Sequence, residues 1–370
     1  VTEGFRPPPY PYDRLDELKA VADALPGGCV DLSVGTPNDP PAPAVVAALA
    51  ASEAERGYPP SPGSPAFRQA AAGWLQRRLG VSVDPTAELA ACIGTKEMVV
   101  GTPLLLRLRT PDRDVVLHPQ VAYPSYEMGA TLAGCRAVGI PPQPDGTLDL
   151  GAVDEADADR ALCLWVNSPA NPSGTLDDLE AAAAWGRERG IPVLSDECYV
   201  EFTWDGPPRT ILEHGTDGVL AVHSLSKRSN LAGVRAGFYA GDAELVDYLR
   251  EVRKHQGMMV PGPVQAAAVA AWEDDAHVDG QRERYRSRLA LLRDVLGSVG
   301  IECDLPAGAF YLWVPAPDGD AWALTRRLAA EGGALVAPGE FYGGEDHVRM
   351  AVVQPDDRLR LVGTRLVEGR

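Results

Sequence analysis

The stretch His223-Ser-Leu-Ser-Lys-Arg-Ser-Asn-Leu-Ala-Gly-Val-Arg-Ala-Gly237 carries more information than any other part of this 370-residue sequence. It follows the β-type run Val219 to Val222 and sets Ser224, Lys227 and Arg235 among small residues, with Gly233 and Gly237 framing the arginine. An ammonium held near a second cation and an anion seat loses its proton readily. Lys227 beside Arg235 can then condense with an aldehyde and later carry a proton. A serine-nucleophile reading competes, because Ser224 and Lys227 also satisfy the S-x-x-K of penicillin-binding enzymes. The S-D-N and K-T-G partners of that chemistry are missing from the chain.

Working outward, helical patterns at Pro65 to Leu79 and Asp177 to Arg189 alternate with short β-type runs. These runs lie at Asp114 to Leu117, Ala161 to Val166, Pro192 to Leu194, Val219 to Val222 and Val234 to Tyr239. The alternation predicts an α/β layer with a mostly parallel sheet. Beyond Pro263 a charged amphipathic stretch, about Val278 to Leu296, precedes short strands around Ala309 to Trp313 and Val348 to Val353, the pattern of a smaller α+β domain. The expected division is 1–41 as an N-terminal arm and part of the small domain, 42–262 as the large domain and 263–370 as the small C-terminal domain.

Composition narrows the function classes. A formal net charge of −18 repels phosphate backbones and anionic membranes, though a local cluster of Arg, Lys and backbone N–H groups can still hold one phosphate. The 38 glycines never fall two apart, so there is no G-x-G-x-x-G fingerprint, and neither G-K-[ST] nor H-E-x-x-H occurs. Six cysteines without a C-x-x-C pair read as buried free thiols in a reducing compartment, and the six histidines share no ligand spacing, so no metal is expected. With no targeting pattern near the start and no apolar run approaching 18 residues, a cytoplasmic protein is expected.

The spacing of Lys227, Gly233, Arg235 and Gly237 resembles the lysine signature of class I and II aminotransferases, which bind pyridoxal 5′-phosphate. That resemblance implies fold type I: a large domain with a mostly parallel seven-stranded sheet, plus a smaller α+β domain. Such a cofactor needs an acid that keeps its pyridine nitrogen protonated. Asp196, in Val193-Leu-Ser-Asp-Glu-Cys-Tyr199 at the end of an apolar run, is the candidate. Tyr199, and Asn171 of Asn167-Ser-Pro-Ala-Asn-Pro-Ser-Gly174, resemble the family residues that hydrogen-bond the ring 3′-oxygen, Asn171 also facing substrate. Alone, N-P-S-G is an ordinary turn.

Gly94-Thr-Lys96 lies between the strand-like Leu89 to Ile93 and a helical run beginning near Glu97, a junction suited to an anion. By resemblance Gly94, Thr95 and Lys96 hold the phosphate together with Ser224 and Arg235. A plain helix cap at Thr95 is the alternative. Tyr123 resembles the aromatic residue stacked on the cofactor ring, with core packing as its alternative. Tyr58 resembles the tyrosine that reaches the phosphate of the neighbouring subunit, which implies a homodimer with shared active sites.

Amino-acid substrates bring an α-carboxylate, for which a planar arginine is the best-shaped partner. Arg349 takes that role by resemblance, against the alternative of a surface arginine on an edge strand. Gly35 resembles the backbone that closes over substrate. The implied reaction is a two-half transamination with Lys227, Asp196 and Tyr199 as the catalytic set and glutamate as donor. The wording of H-S-L-S-K-R-S-N-L-A-G-V-R-A-G and S-P-A-N-P-S-G looks most like the subgroup acting on N-succinyl-2-amino-6-oxopimelate in lysine and diaminopimelate biosynthesis. Val234 departs from the aromatic found there in some relatives. Another amino-acid specificity, a lyase or synthase using the same cofactor, and a non-catalytic cofactor-binding regulator stay open. The regulator is disfavoured because no basic helix-turn-helix-like stretch precedes Gly35.

Overall fold

Val219–Ser224 buries every one of its side chains, as a central strand covered on both faces must. The computed structural model, which describes residues 4–54 and 56–369, places it as the third strand of a seven-stranded sheet. In chain order the strands are β1 (Val30–Asp31), β2 (Leu89–Cys92), β3 (Val115–Pro119), β4 (Arg136–Ile140), β5 (Ala161–Asn167) and β6 (Val193–Asp196). They continue with β7 (Val219–Ser224), β8 (Gly237–Gly241), β9 (Tyr311–Pro315), β10 (Ala334–Leu335), β11 (Ala337–Pro338) and β12 (His347–Ala351).

The large sheet has the order β2-β8-β7-β6-β5-β3-β4. The pairs from β4 through β7 are all parallel, and only β8 runs against its two neighbours, β7 and β2. Alternate residues feed two cores. Leu164, Val193 and Val219 join Phe67, Trp74 and Trp272 on one face, while Trp165, Leu194 and Leu220 join Tyr126 and Tyr239 on the other. This matches the expected α/β, fold type I arrangement. The register Asn167↔Asp196 and Asp196↔Val222 brings the carboxyl ends of β5, β6 and β7 level, where α/β sheets place their ligands.

The chain packs into two compact units. One holds the sheet and spans Thr36–Ser287 with Pro306–Tyr311; the other collects the chain up to Gly35, Arg288–Leu305 and the chain from Leu312. These limits differ from the expected 41/42 and 262/263 divisions. Helix Gly262–Glu273 packs on helices Pro43–Ala50 and Pro65–Trp74, and its Ala267, Ala268, Ala271 and Trp272 share a core with Phe67, which draws residues 263–287 to the sheet unit. Residues 1–3 of the expected arm lie outside the described residues. In the second unit β1 pairs in parallel with β10, and a three-stranded sheet has the order β11-β12-β9. Among the described residues no helix is long and apolar enough to cross a membrane.

Candidate active site

Asp196 is the last residue of β6, so its side chain stands at the carboxyl edge of the sheet, where it keeps partial exposure. Two donors converge on it. The Tyr126 hydroxyl donates to Oδ2 at 3.1 Å and the Cys198 backbone N–H donates to Oδ1 at 3.2 Å. Burial pushes the Asp196 carboxyl above the ordinary range, and these donors with the pull of Lys227 work in the other direction. Asn167 Nδ2 donates to the Asp196 carbonyl at 2.8 Å while its Oδ1 accepts from the Asn171 N–H, also at 2.8 Å. One side chain thus fixes the buried Asn171 beside the strand end.

Lys227 lies on the short helix Leu225–Arg228 that follows β7 directly, and the Ser224 hydroxyl caps it by accepting from the Ser226 N–H at 3.0 Å. The half-buried ammonium sits 5.9 Å from the centre of the Phe310 ring. The next residue anchors the helix from below. Arg228, 2 % exposed, donates to Glu201 Oε1 at 3.1 Å and to Asp275 Oδ1 at 3.1 Å. Glu201 also accepts from Trp74 Nε1 at 2.7 Å and from Arg78. Tyr199, two residues before Glu201, shares a 2.7 Å hydrogen bond with the hydroxyl of Tyr311.

The glycine turn after β2 has the backbone its expected task requires. Gly94 has φ 86°, and a Cβ there would lie 2.2 Å from Nη2 of Arg235, so only glycine allows the guanidinium this close. Arg235, itself at φ 59°, donates to the Ala232 carbonyl at 2.8 Å. Thr95 opens helix Thr95–Arg109, whose N–H groups and dipole favour an anion, and its hydroxyl lies 3.0 Å from the Cys198 sulfur. Lys96 Nζ donates to the Tyr123 hydroxyl at 3.2 Å.

Gly94, Thr95, Lys96, Tyr123, Asn171, Asp196, Tyr199, Ser224, Lys227 and Arg235 thus all belong to the sheet unit. Tyr58 belongs to it as well and is 98 % exposed. Gly35 and Arg349 belong to the other unit. The surface-arginine alternative fails for Arg349: β12 is the middle strand of its sheet, and the side chain is 2 % exposed. Its Nη2 donates to the Ser33 carbonyl at 2.6 Å and to the Tyr12 hydroxyl at 3.2 Å, and the guanidinium lies 4.5 Å over the Tyr342 ring. Sequence reasoning missed Tyr126, Cys198 and Tyr311.

All six cysteines are free thiols. Only Cys92 and Cys163 are fully buried, and the other four are half-buried because they stand on loops or at element ends. Among the described residues no group of three or more His, Cys, Asp or Glu side chains could hold a metal ion. The donor set suits an organic ligand instead. A carboxylate held by two donors can meet a ring N–H, Gly94 and Arg235 leave a cradle for an anion, and Lys227 supplies a primary amine.

A family model described as aminotransferase class I and II matches residues 28–364. The chain is 44% identical to the 4-dedimethylamino-4-oxo-anhydrotetracycline transaminase OxyQ of Streptomyces rimosus, over 97% of this chain and 99% of that one. It is 36% identical to an LL-diaminopimelate aminotransferase of Desulforudis audaxviator, over 95% and 93% of the two chains. Among solved structures, a "probable N-succinyldiaminopimelate aminotransferase" of Thermus thermophilus superposes with a TM-score of 0.87 at 33% identity, covering 98% and 100%.

Proposed function

This chain belongs to the class I and II aminotransferases, and on that premise we propose that it carries the α-amino group of glutamate to an oxo acid, with N-succinyl-2-amino-6-oxopimelate as acceptor. The cofactor of the family is pyridoxal 5′-phosphate, which supplies an electron sink for the carbanion left when a Cα–H bond ionises. One observation carries the reading: Asp196, at the carboxyl end of β6, receives two donors and has Lys227 as its cationic neighbour.

In this proposal Asp196 holds a proton on the pyridine nitrogen, and Asn171 and Tyr199 donate to the ring oxygen. Gly94, Thr95, Lys96, Ser224 and Arg235 grip the phosphate, and Tyr123 covers one ring face, an aromatic contact that limits tilt. Lys227 Nζ takes the proton from the donor Cα and delivers it on the far side of the same transfer, general base and then general acid. Arg349 binds the α-carboxylate through its planar fork, and Gly35 closes the backbone over it. The working unit is a homodimer in the cytoplasm, Tyr58 reaching the phosphate held by the second copy.

A second reading is favoured by the identity values. The 44% match is to a transaminase named for a 4-oxo-anhydrotetracycline, against 33% for the succinyl-substrate neighbour, so a ring ketone is the rival acceptor. Incubating the loaded enzyme with glutamate and each acceptor in turn, with mass-spectrometric identification of the aminated product, decides between them. Amination of the succinylated oxo acid with the highest kcat/KM supports the first reading, and preference for the polycyclic ketone replaces it. Failure to aminate any carbonyl compound while the cofactor stays bound defeats both.

A further inference from the structure

Cys198 stands between two groups assigned separate tasks above. Its backbone N–H donates to Asp196 Oδ1 at 3.2 Å. On the other side its sulfur lies 3.0 Å from Oγ1 of Thr95, the first residue of helix Thr95–Arg109. Burial next to the Asp196 charge raises the thiol well above its usual range, so it stays protonated and can donate. An ionised carboxylate only accepts. The Cys198 backbone N–H is therefore the donor to Asp196, and across the 3.0 Å contact the thiol and the Thr95 hydroxyl can exchange the donor role.

We propose that Cys198 is a positioning residue that couples the Asp196 carboxylate to the Gly94–Lys96 turn, so that occupation of the turn is felt at the acid. The inference rests on the reading of that turn as the phosphate seat. Tyr126, on helix Ser125–Leu132, and Lys227, on helix Leu225–Arg228, also act on this carboxylate. Cys198 bridges it to the turn, through its backbone N–H on one side and its sulfur on the other. A thiol is a weak donor, so the effect is modest and must be read as coupling between sites.

The test uses full-length holoenzyme with three substitutions, Cys198→Ala, Cys198→Ser and Thr95→Val, and the double variant Thr95→Val with Cys198→Ala. Three quantities are measured: retention of pyridoxal 5′-phosphate on dilution, kcat, and KM for the amino donor. Cys198→Ala should weaken retention and lower kcat by about three- to tenfold each, leaving donor KM unchanged. Cys198→Ser, which keeps a donor in place, should recover most of both. In the double variant the loss of retention should be no greater than that of the worse single variant, the mark of a shared path.

Wild-type retention and kcat in Cys198→Ala would overturn the proposal. So would a Cys198→Ser enzyme as impaired as Cys198→Ala, which would indicate packing alone. Multiplying penalties in the double variant would overturn the coupling while leaving the phosphate seat intact. A Thr95→Val enzyme that keeps the cofactor as well as wild type would instead overturn the reading of the turn, and the coupling with it.

Discussion

The phenol of Tyr126 and the carboxylate of Asp196, 70 residues apart in the chain, meet at 3.1 Å. Tyr126 opens helix Ser125–Leu132 between the rings of His118 and Trp165, and burial lifts its hydroxyl well above the usual tyrosine range. It is therefore a neutral donor at every pH the enzyme meets, and each proton it points at Asp196 favours the ionised carboxylate. Tyr126→Phe should lower kcat by about tenfold with little change in donor KM, since the loss falls on the acid and not on substrate contacts. Steady-state kinetics with glutamate check this, and an unchanged kcat would remove Tyr126 from the site.

Lys227→Ala should reduce turnover by at least about a thousandfold, because one amine serves both as cofactor anchor and as proton carrier. Borohydride treatment of the native enzyme followed by peptide mapping should find the reduced cofactor adduct on Lys227. An adduct on any other lysine contradicts the assignment.

Gly94→Ala introduces a Cβ 2.2 Å from Arg235 Nη2 at a backbone position with φ 86°. The backbone strain alone is worth about 1–3 kcal/mol. Displacement of Arg235 should also release the cofactor. A thermal melt and a cofactor-retention measurement together test this: the expected result is a lower midpoint and retention at least about tenfold weaker. Wild-type retention would mean that Arg235 is free to serve from another position.

A pH prediction comes from the fully buried pair Glu197 and His223, whose Oε2 and Nε2 are 3.3 Å apart under the edge of the Trp74 ring. Burial pushes Glu197 up from 4.5 to about 7 and His223 down from 6.5 to about 3, so the folded pair is neutral, with its one proton on Glu197. Between about pH 4.5 and 6.5 the unfolded pair also holds one proton, on the histidine, and the contribution to stability is flat. Below 4.5 the unfolded chain binds a second proton and stability falls. Above 6.5 the unfolded chain has lost its proton while the folded pair keeps one to about 7, and stability falls again. Glu197→Gln should remove the alkaline loss and extend the acid decline upward to about 6.5, as read from melting midpoints against pH. An identical profile in the variant would show that the pair does not titrate this way.

Much of this was legible in the chain itself, for identifiable physical reasons. The wholly buried β5 and the strand ends at Asp196 and Ser224 stand out because central parallel strands are buried on both faces. Strand β4 went unseen: Arg136-Ala-Val-Gly-Ile140 is an edge strand with exposed Arg136 and Gly139, and it lacks the apolar alternation that marks a strand. The expected run Val234 to Tyr239 begins three residues early because Arg235 takes a left-handed turn that no propensity anticipates. Tyr311 and Cys198 were illegible as site residues, since their partners Tyr199 and Thr95 are 112 and 103 positions away and only folding brings them together.

The discontinuous unit has a consequence for synthesis on the ribosome. Val30 takes its strand partner from Ala334, so β1 waits for about 300 further residues before its neighbour exists. At roughly 5 to 20 residues per second that delay is on the order of 15 to 60 s, during which the opening segment can only be shielded transiently, by a chaperone or by makeshift contacts. The sheet-bearing unit can condense meanwhile from chain already made. Folding order therefore departs from the order of synthesis, and the β1 and β10 segments pair only once both have been made.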